Sequence, residues 1–230
     1  MIRIAIAGPD GAGKTTLCKR LLNCIDKSEL QYAGKNRGHL LRGTSLGLKA
    51  WMLLKQHGSI LSIIGQYFVF YPLEYFENMA RFQKVSCTGS KWIIYDRHPI
   101  DRMVLKYDIL IRRNERKVKF NRFFVEYPLR LFWECVYKCA FPGVNRVYVL
   151  LPYPELCFKR SGGQYQNLDE ARIRIETYRR TAAQDNNMFM AINIDHNHTV
   201  EDICKIVLAD IDDTVQKRFK STQTFNPPKS

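Results

Sequence analysis

The sequence predicts an α/β fold: a five-stranded parallel sheet with helices on both faces, in three layers. Three observations predict it. Short apolar, β-branched runs recur along the 230 residues, each followed by a stretch of helical periodicity. A glycine-rich loop separates the first such run from the first helix. Strands that alternate with helices are joined by crossovers, which makes the sheet parallel and covers both of its faces.

The elements follow in order. Ile2-Arg3-Ile4-Ala5-Ile6-Ala7 reads as a buried strand, and a helical pattern fills residues 14–26. Residues 30–33 read as a second, short strand before a Gly/Arg/Asn-rich loop at 34–43. Helical stretches fill residues 44–84, with breaks expected at Gly58 and Pro72. Residues 91–95 form a third apolar run that ends at Asp96. A helix is expected from Pro99, then a basic turn at 112–117 and an aromatic-rich helix at 120–141, closed by Pro142-Gly143. The fourth strand falls at 144–151, a helix starts at Pro154, and a Gly-rich loop follows at 161–164. A polar helix at 169–186, a strand at 191–195 and a helix from Thr199 complete the pattern. Residues 1–220 read as one domain, and the polar segment 221–230, with Pro227-Pro228, as a disordered tail.

Residues 8–15 spell a complete G-x-x-x-x-G-K-[ST] phosphate loop, Gly8 to Thr15, between a strand and a helix. Glycines let the chain aim several backbone N–H groups at one anion, and the helix dipole adds to that field. Gly8, Asp10, Gly11, Ala12, Gly13, Lys14, Thr15 and Thr16 are therefore the candidate ATP-binding residues. Lys14 can reach the β/γ-phosphates, and the Thr15 hydroxyl can ligate Mg²⁺. The fold is thus the three-layer arrangement of the P-loop nucleoside triphosphatases.

In a parallel sheet ligands bind at the carboxyl ends of the strands. Asp96 lies at such an end and is the second candidate Mg²⁺ ligand, with Arg97 beside it to fork onto a phosphate. Phosphoryl transfer depends on positioning and charge neutralisation, so cations near the γ-phosphate are expected. Arg160, after Lys159 and before the Gly-rich loop, suits a lid over residues 159–172; Arg172 and Arg174 read equally well as a solvated helix face. Lys14, Asp96, Arg97 and Arg160 are the catalytic candidates. For an acceptor the candidates are Arg81, Arg97, Arg42 and Tyr71, with Arg37 and Arg102 weaker. Glu74, Glu77 and Arg81 fall at i, i+3 and i+7, on a face shared with Tyr71 or Asn78.

The formal net charge of +14 reads either as Lys and Arg scattered over solvated helix faces or as a fit to nucleic acid, an anionic membrane or phosphorylated substrates, of which the phosphate loop favours the last. Aromatics between 120 and 137 fall at helical spacing, which marks core packing and argues against a nucleic-acid platform. A basic amphipathic helix lying on a membrane is kept as an unfavoured alternative. The N-K-x-D pattern of guanine readers is missing, which counts against a GTPase. Seven cysteines without C-x-x-C spacing read as reduced thiols of a cytoplasmic chain. His196-Asn197-His198 reads as a turn rather than a metal site. No leader is expected, and residues 56–73 fall short of a membrane span.

With these segments placed, the chain resembles the thymidylate-kinase branch of the nucleoside-monophosphate kinases. The likeness rests on Asp10-Gly11-Ala12-Gly13-Lys14-Thr15-Thr16, Ala80-Arg81, Asp96-Arg97-His98, Tyr148-Val149-Leu150-Leu151, Pro154-Glu155, Lys159-Arg160, Glu176-Thr177-Tyr178 and Ile192-Asn193-Ile194-Asp195. It implies a Mg²⁺- and ATP-dependent kinase and a homodimer. It puts Lys14 and Thr15 on the triphosphate, Asp96 on Mg²⁺, Arg81 at the acceptor nucleotide, Arg97 at its phosphate and Arg160 at the transferring group. The chain departs from the family at Ala7, which replaces a common Glu, and across residues 34–141, where no Arg-Glu-Pro-Gly segment follows the second strand and His98 replaces a Tyr. The favoured activity is phosphoryl transfer from Mg·ATP to a small acceptor, a nucleoside monophosphate first. A nucleoside, sugar or lipid-linked hydroxyl with Asp96 as base is the alternative. A nucleotide-dependent binding module is the third reading.

Overall fold

Five strands supply the frame: β1 (Ile2–Ala7), β2 (Ser28–Tyr32), β3 (Trp92–Asp96), β4 (Arg146–Pro152) and β5 (Phe189–Ile194). The structure, a computed structural model, describes residues 1–32, 63–85, 90–97, 110–111, 120–140 and 143–223. All neighbouring strands pair in parallel, in the order β2-β3-β1-β4-β5. The predicted architecture is therefore the observed one. Helix α1 spans Lys14–Cys24, a π-helix over Gly65–Phe70 runs into α2 (Tyr71–Val85), and α3 spans Phe120–Ala140. After β4 come α4 (Pro154–Arg160) and α5 (Leu168–Ala182), and after β5 comes α6 (Val200–Gln223).

Alternate side chains of the strands feed two cores. Ala5, Ala7, Ile93, Tyr95, Val147 and Val149 meet Tyr67, Phe70, Tyr71, Trp133, Ile175 and Tyr178 on one face. Ile4, Ile6, Ile94, Tyr148, Leu150 and Ile192 meet Leu17, Leu21, Cys204 and Val207 of α1 and α6 on the other. β1 lies between β3 and β4 and is covered on both sides, which is why it reads as an unbroken apolar run. Each fully buried Ile or Leu here contributes about 1.5–3 kcal/mol.

Several boundaries moved. The expected break at Pro72 does not occur, because the widened turn of the π-helix, in which the Tyr71 N–H reaches the Gln66 carbonyl, precedes it. A proline lacks the N–H that a regular turn would use, and a π turn absorbs that loss. Helix α3 likewise continues through Pro128. The polar helix expected to reach 186 ends at Ala182, and Asp185 then accepts from Asn187 and Met188 in a turn that starts β5 two residues early. Helix α6 runs to Gln223, three residues into the expected tail, and the rest of that tail lies outside the described residues.

Candidate functional site

The carboxyl ends of β1, β3 and β4 bring together three segments that are far apart in sequence. The first is the phosphate loop. Gly13 caps α1 in the left-handed region, with φ 84°, so the loop arrives at the helix amino terminus already turned. Gly11, at φ 86°, lies so close to the next segment that a Cβ there would stand 2.6 Å from the Cys157 carbonyl oxygen and 3.0 Å from the Ser161 nitrogen. Lys14 is 5% exposed, and its Nζ donates to the carbonyls of Gly8 at 2.7 Å and Pro9 at 2.6 Å. The ammonium thus curls over the loop that it must serve. Ala12 is buried in the α1 core, whereas Thr15 and Thr16 are exposed at the helix start.

The second segment is the end of β3. The Thr15 hydroxyl donates to Asp96 Oδ2 at 2.6 Å. Asp96 is 1% exposed, and its other oxygen, Oδ1, is buried with no hydrogen-bond partner among the described residues. Arg97 follows in the left-handed region at φ 64°, an uncommon conformation for a residue with a Cβ and one that clusters at functional sites. Its Nη2 donates to the Asp10 carboxylate. Sequence reasoning aimed Arg97 at a phosphate; the structure ties it to the loop through Asp10.

The third segment follows β4. Short helix α4 has Pro at its first position and Lys159 and Arg160 in its last turn. Arg160 is exposed there, and its backbone borders Gly11. The Cys157 thiol donates to the Asp10 carbonyl at 2.9 Å, and the Tyr165 hydroxyl accepts from the Asp10 N–H at 2.8 Å. Burial pushes the Tyr165 hydroxyl far above the ordinary tyrosine value. These two contacts have no motif, so sequence reading had no signal for them. Arg172 pairs with exposed Asp169 at 3.5 Å on the surface of α5. A carboxylate in such a pair carries little stability.

The acceptor candidates are less well gathered. Arg42 lies outside the described residues, and Arg81 is placed on α2 by its backbone, its side chain lying outside them too. Tyr71, an acceptor candidate from the sequence, packs in the core. It is 1% exposed, its hydroxyl accepts from Gln66 Nε2 at 2.8 Å, and its ring stands edge-on to Tyr67 and Trp133. Glu74 and Glu77 are buried on the same face of α2, as the i, i+3 spacing predicted. On α3, Arg130 donates to the Tyr67 hydroxyl at 2.9 Å and to Glu126 at 3.0 Å, a part-buried polar network missed in the sequence. The aromatics of α3 divide: Phe123 and Trp133 are buried, while Phe124 and Phe132 are exposed.

His198 pairs with Asp195 at 2.7 Å in the turn after β5, as expected of a turn. Among the described residues no group of His, Cys, Asp and Glu has metal-cluster geometry, and no helix is long and apolar enough to cross a membrane. A cleft of about 590 Å³ opens at the ends of β4 and β5 beside Tyr153, Glu176, Arg179 and His198; no phosphate-loop residue lines it.

No family model matches this chain, and the comparison with curated proteins found no match. Solved structures are similar to it. Deoxyadenosine kinase from M. mycoides with products dCMP and a flexible dCDP bound superposes with a TM-score of 0.57 at 13% identity, covering 92% of this chain and 100% of that one. The same enzyme with bound dATP gives 0.56 at 14% identity, and with bound dCTP 0.55 at 14%, each with the same coverage. The layout of sheet, phosphate loop and covering helices is the fold of those kinases.

Proposed function

We propose that this chain transfers the γ-phosphoryl group of Mg·ATP to a nucleoside-type acceptor, a nucleoside monophosphate first and thymidylate among them. The observation that carries it is the Thr15–Asp96 pair. A hydroxyl and a carboxylate meet at 2.6 Å beside the phosphate loop, and the second carboxylate oxygen is buried without a partner among the described residues. Hard oxygen donors of this kind suit Mg²⁺, so Thr15 and Asp96 would hold it. What Mg²⁺ held by Thr15 and Asp96 would supply is neutralisation of charge on the triphosphate.

The chain's own residues supply the rest. Backbone N–H groups at the start of α1 cradle the triphosphate, and Lys14 exchanges its carbonyl partners for phosphate oxygens. Arg160, at the end of α4, stabilises charge on the transferring group. Arg97 stands at the end of β3 to take the acceptor's phosphate. A phosphate acceptor needs cations and no general base, and Asp96 is buried and already accepts from Thr15. A cytoplasmic homodimer goes with this reading.

The second reading is a nucleoside hydroxyl as acceptor with Asp96 as base. It is favoured by the similar solved structures being deoxyadenosine kinases. A coupled ADP-release screen of nucleoside monophosphates, nucleosides, sugars and polyprenols with Mg·ATP tests both. Turnover with monophosphates, an acceptor KM at least tenfold higher in Arg97→Ala, and no turnover in Lys14→Ala are expected. Turnover with nucleosides only, at unchanged acceptor KM in Arg97→Ala, rejects the first reading for the second.

A further inference from the structure

All three polar groups of Asp10 are held from elsewhere in the chain. Its N–H donates to the Tyr165 hydroxyl, its carbonyl accepts from the Cys157 thiol, and its carboxylate accepts from Arg97. Lys14 Nζ lies 4.0 Å from the same carboxylate. Tyr165 and Cys157 come from the segment after β4, Arg97 from the end of β3, and Asp10 itself from the phosphate loop. One residue therefore ties the three segments of the site together.

We propose that Tyr165 and Cys157 are positioning residues, which through Asp10 set the phosphate loop and the Arg97 guanidinium. The chemistry supports the arrangement. Tyr165 is 7% exposed and stays protonated, because burial raises its hydroxyl, so it offers a neutral acceptor to the Asp10 N–H. Burial also raises the Cys157 thiol, with the Tyr165 hydroxyl bonded to it acting the other way, so the sulfur keeps the proton that it donates to the Asp10 carbonyl. The N–H anchor fixes the Pro9–Asp10 peptide and the carbonyl anchor the Asp10–Gly11 peptide, so both peptides flanking Asp10 are oriented, and Gly11 packs against the Cys157 carbonyl and the Ser161 nitrogen. The Asp10 carboxylate then presents one oxygen to an arginine whose backbone is itself strained. Movement of the segment at 157–165 is thereby felt at Arg97 without direct contact.

The proposal rests on the reading of Gly8 to Thr15 as a triphosphate site, and the experiment separates the two. A methylanthraniloyl-ATP titration gives the nucleotide Kd, a thermal melt gives stability, and acceptor-stimulated ADP release reports the kinase reading. Tyr165→Phe keeps the ring and deletes the accepting oxygen; Cys157→Ala deletes the donor. Each is expected to raise the Kd about two- to tenfold, the range one such hydrogen bond supports. The double variant is expected to exceed either single one. A lower melting temperature with the Kd of both single variants within twofold of wild type overturns the proposal, since that is what a structural role alone would do. Wild-type protein that binds the analogue but shows no acceptor-stimulated turnover rejects the kinase reading and leaves the Kd comparison able to support or overturn this one. Wild-type protein that does not bind the analogue overturns both.

Discussion

Asp96 is the residue on which the chemistry turns, and its surroundings make opposite demands on stability and activity. A carboxylate that is 1% exposed with one oxygen unmatched among the described residues is costly to bury. Asp96→Asn removes that charge while keeping the shape. Turnover is expected to fall about a hundredfold or more, and the urea midpoint to hold or rise. A loss of both together would mark Asp96 as structural. Thiols give a second check at this scale. Burial, with the Asp96 charge adding to it, pushes the Cys18 thiol well above its ordinary value, and burial raises Cys157. Cys24 and Cys135 are exposed. In folded protein at pH 8, a disulfide reagent followed by peptide mass mapping should label Cys24 and Cys135 and leave Cys18 and Cys157 until the chain unfolds.

At the scale of the element, the phosphate loop offers a contrast between two glycines with nearly the same dihedral. Both lie in the left-handed region, so alanine costs each about 1–2 kcal/mol. A Cβ at Gly13 meets nothing within 4 Å, whereas at Gly11 it meets the backbone at 2.6 Å. Gly11→Ala should therefore weaken nucleotide binding well beyond Gly13→Ala; equal effects in the titration would mean that the approach of α4 to the loop does not matter. Helix α5 carries a pH dependence. Burial opposes ionisation of Glu176, but hydrogen bonds from Arg180 and Arg179 outweigh it and hold the carboxyl below 4.5. The folded value is depressed, so this contribution is complete above the ordinary glutamate value and lost as pH falls through the folded one. Half-exposed partners and solvent screening keep it small. Acid melts of Glu176→Gln and wild type should converge below that value and differ above it.

For the whole molecule, the long-range ties decide how strand and helix layers lock. Asp210 of α6 accepts from Arg146 Nε at 3.0 Å, from Arg146 Nη2 at 3.1 Å and from the Tyr148 hydroxyl at 2.9 Å. Arg146 also donates to the carbonyls of Asn186 and Asn187 just before β5. Asp210→Ala leaves Arg146 Nε and Nη2 and the buried Tyr148 hydroxyl without this acceptor, while Nη1 keeps its carbonyls, and should cost about 2–3 kcal/mol in urea unfolding. A cost below about 0.5 kcal/mol would show that the tie contributes nothing beyond an ordinary surface pair.

The sequence by itself determined the layers, the parallel sheet, the phosphate loop and the carboxylate at the end of β3. Those follow from local causes: apolar runs buried on both faces, helical periodicity, and glycines whose conformations no other residue adopts cheaply. Only the tertiary structure decided that Tyr71 belongs to the core, that Arg97 is bound to Asp10, and that Tyr165 and Cys157 reach the loop from about 150 residues away. Hydrogen bonds between residues so distant leave no periodicity or spacing in the chain, because their geometry is set by how the strands are ordered. The phosphate loop is written in eight consecutive residues; what holds it in place is not.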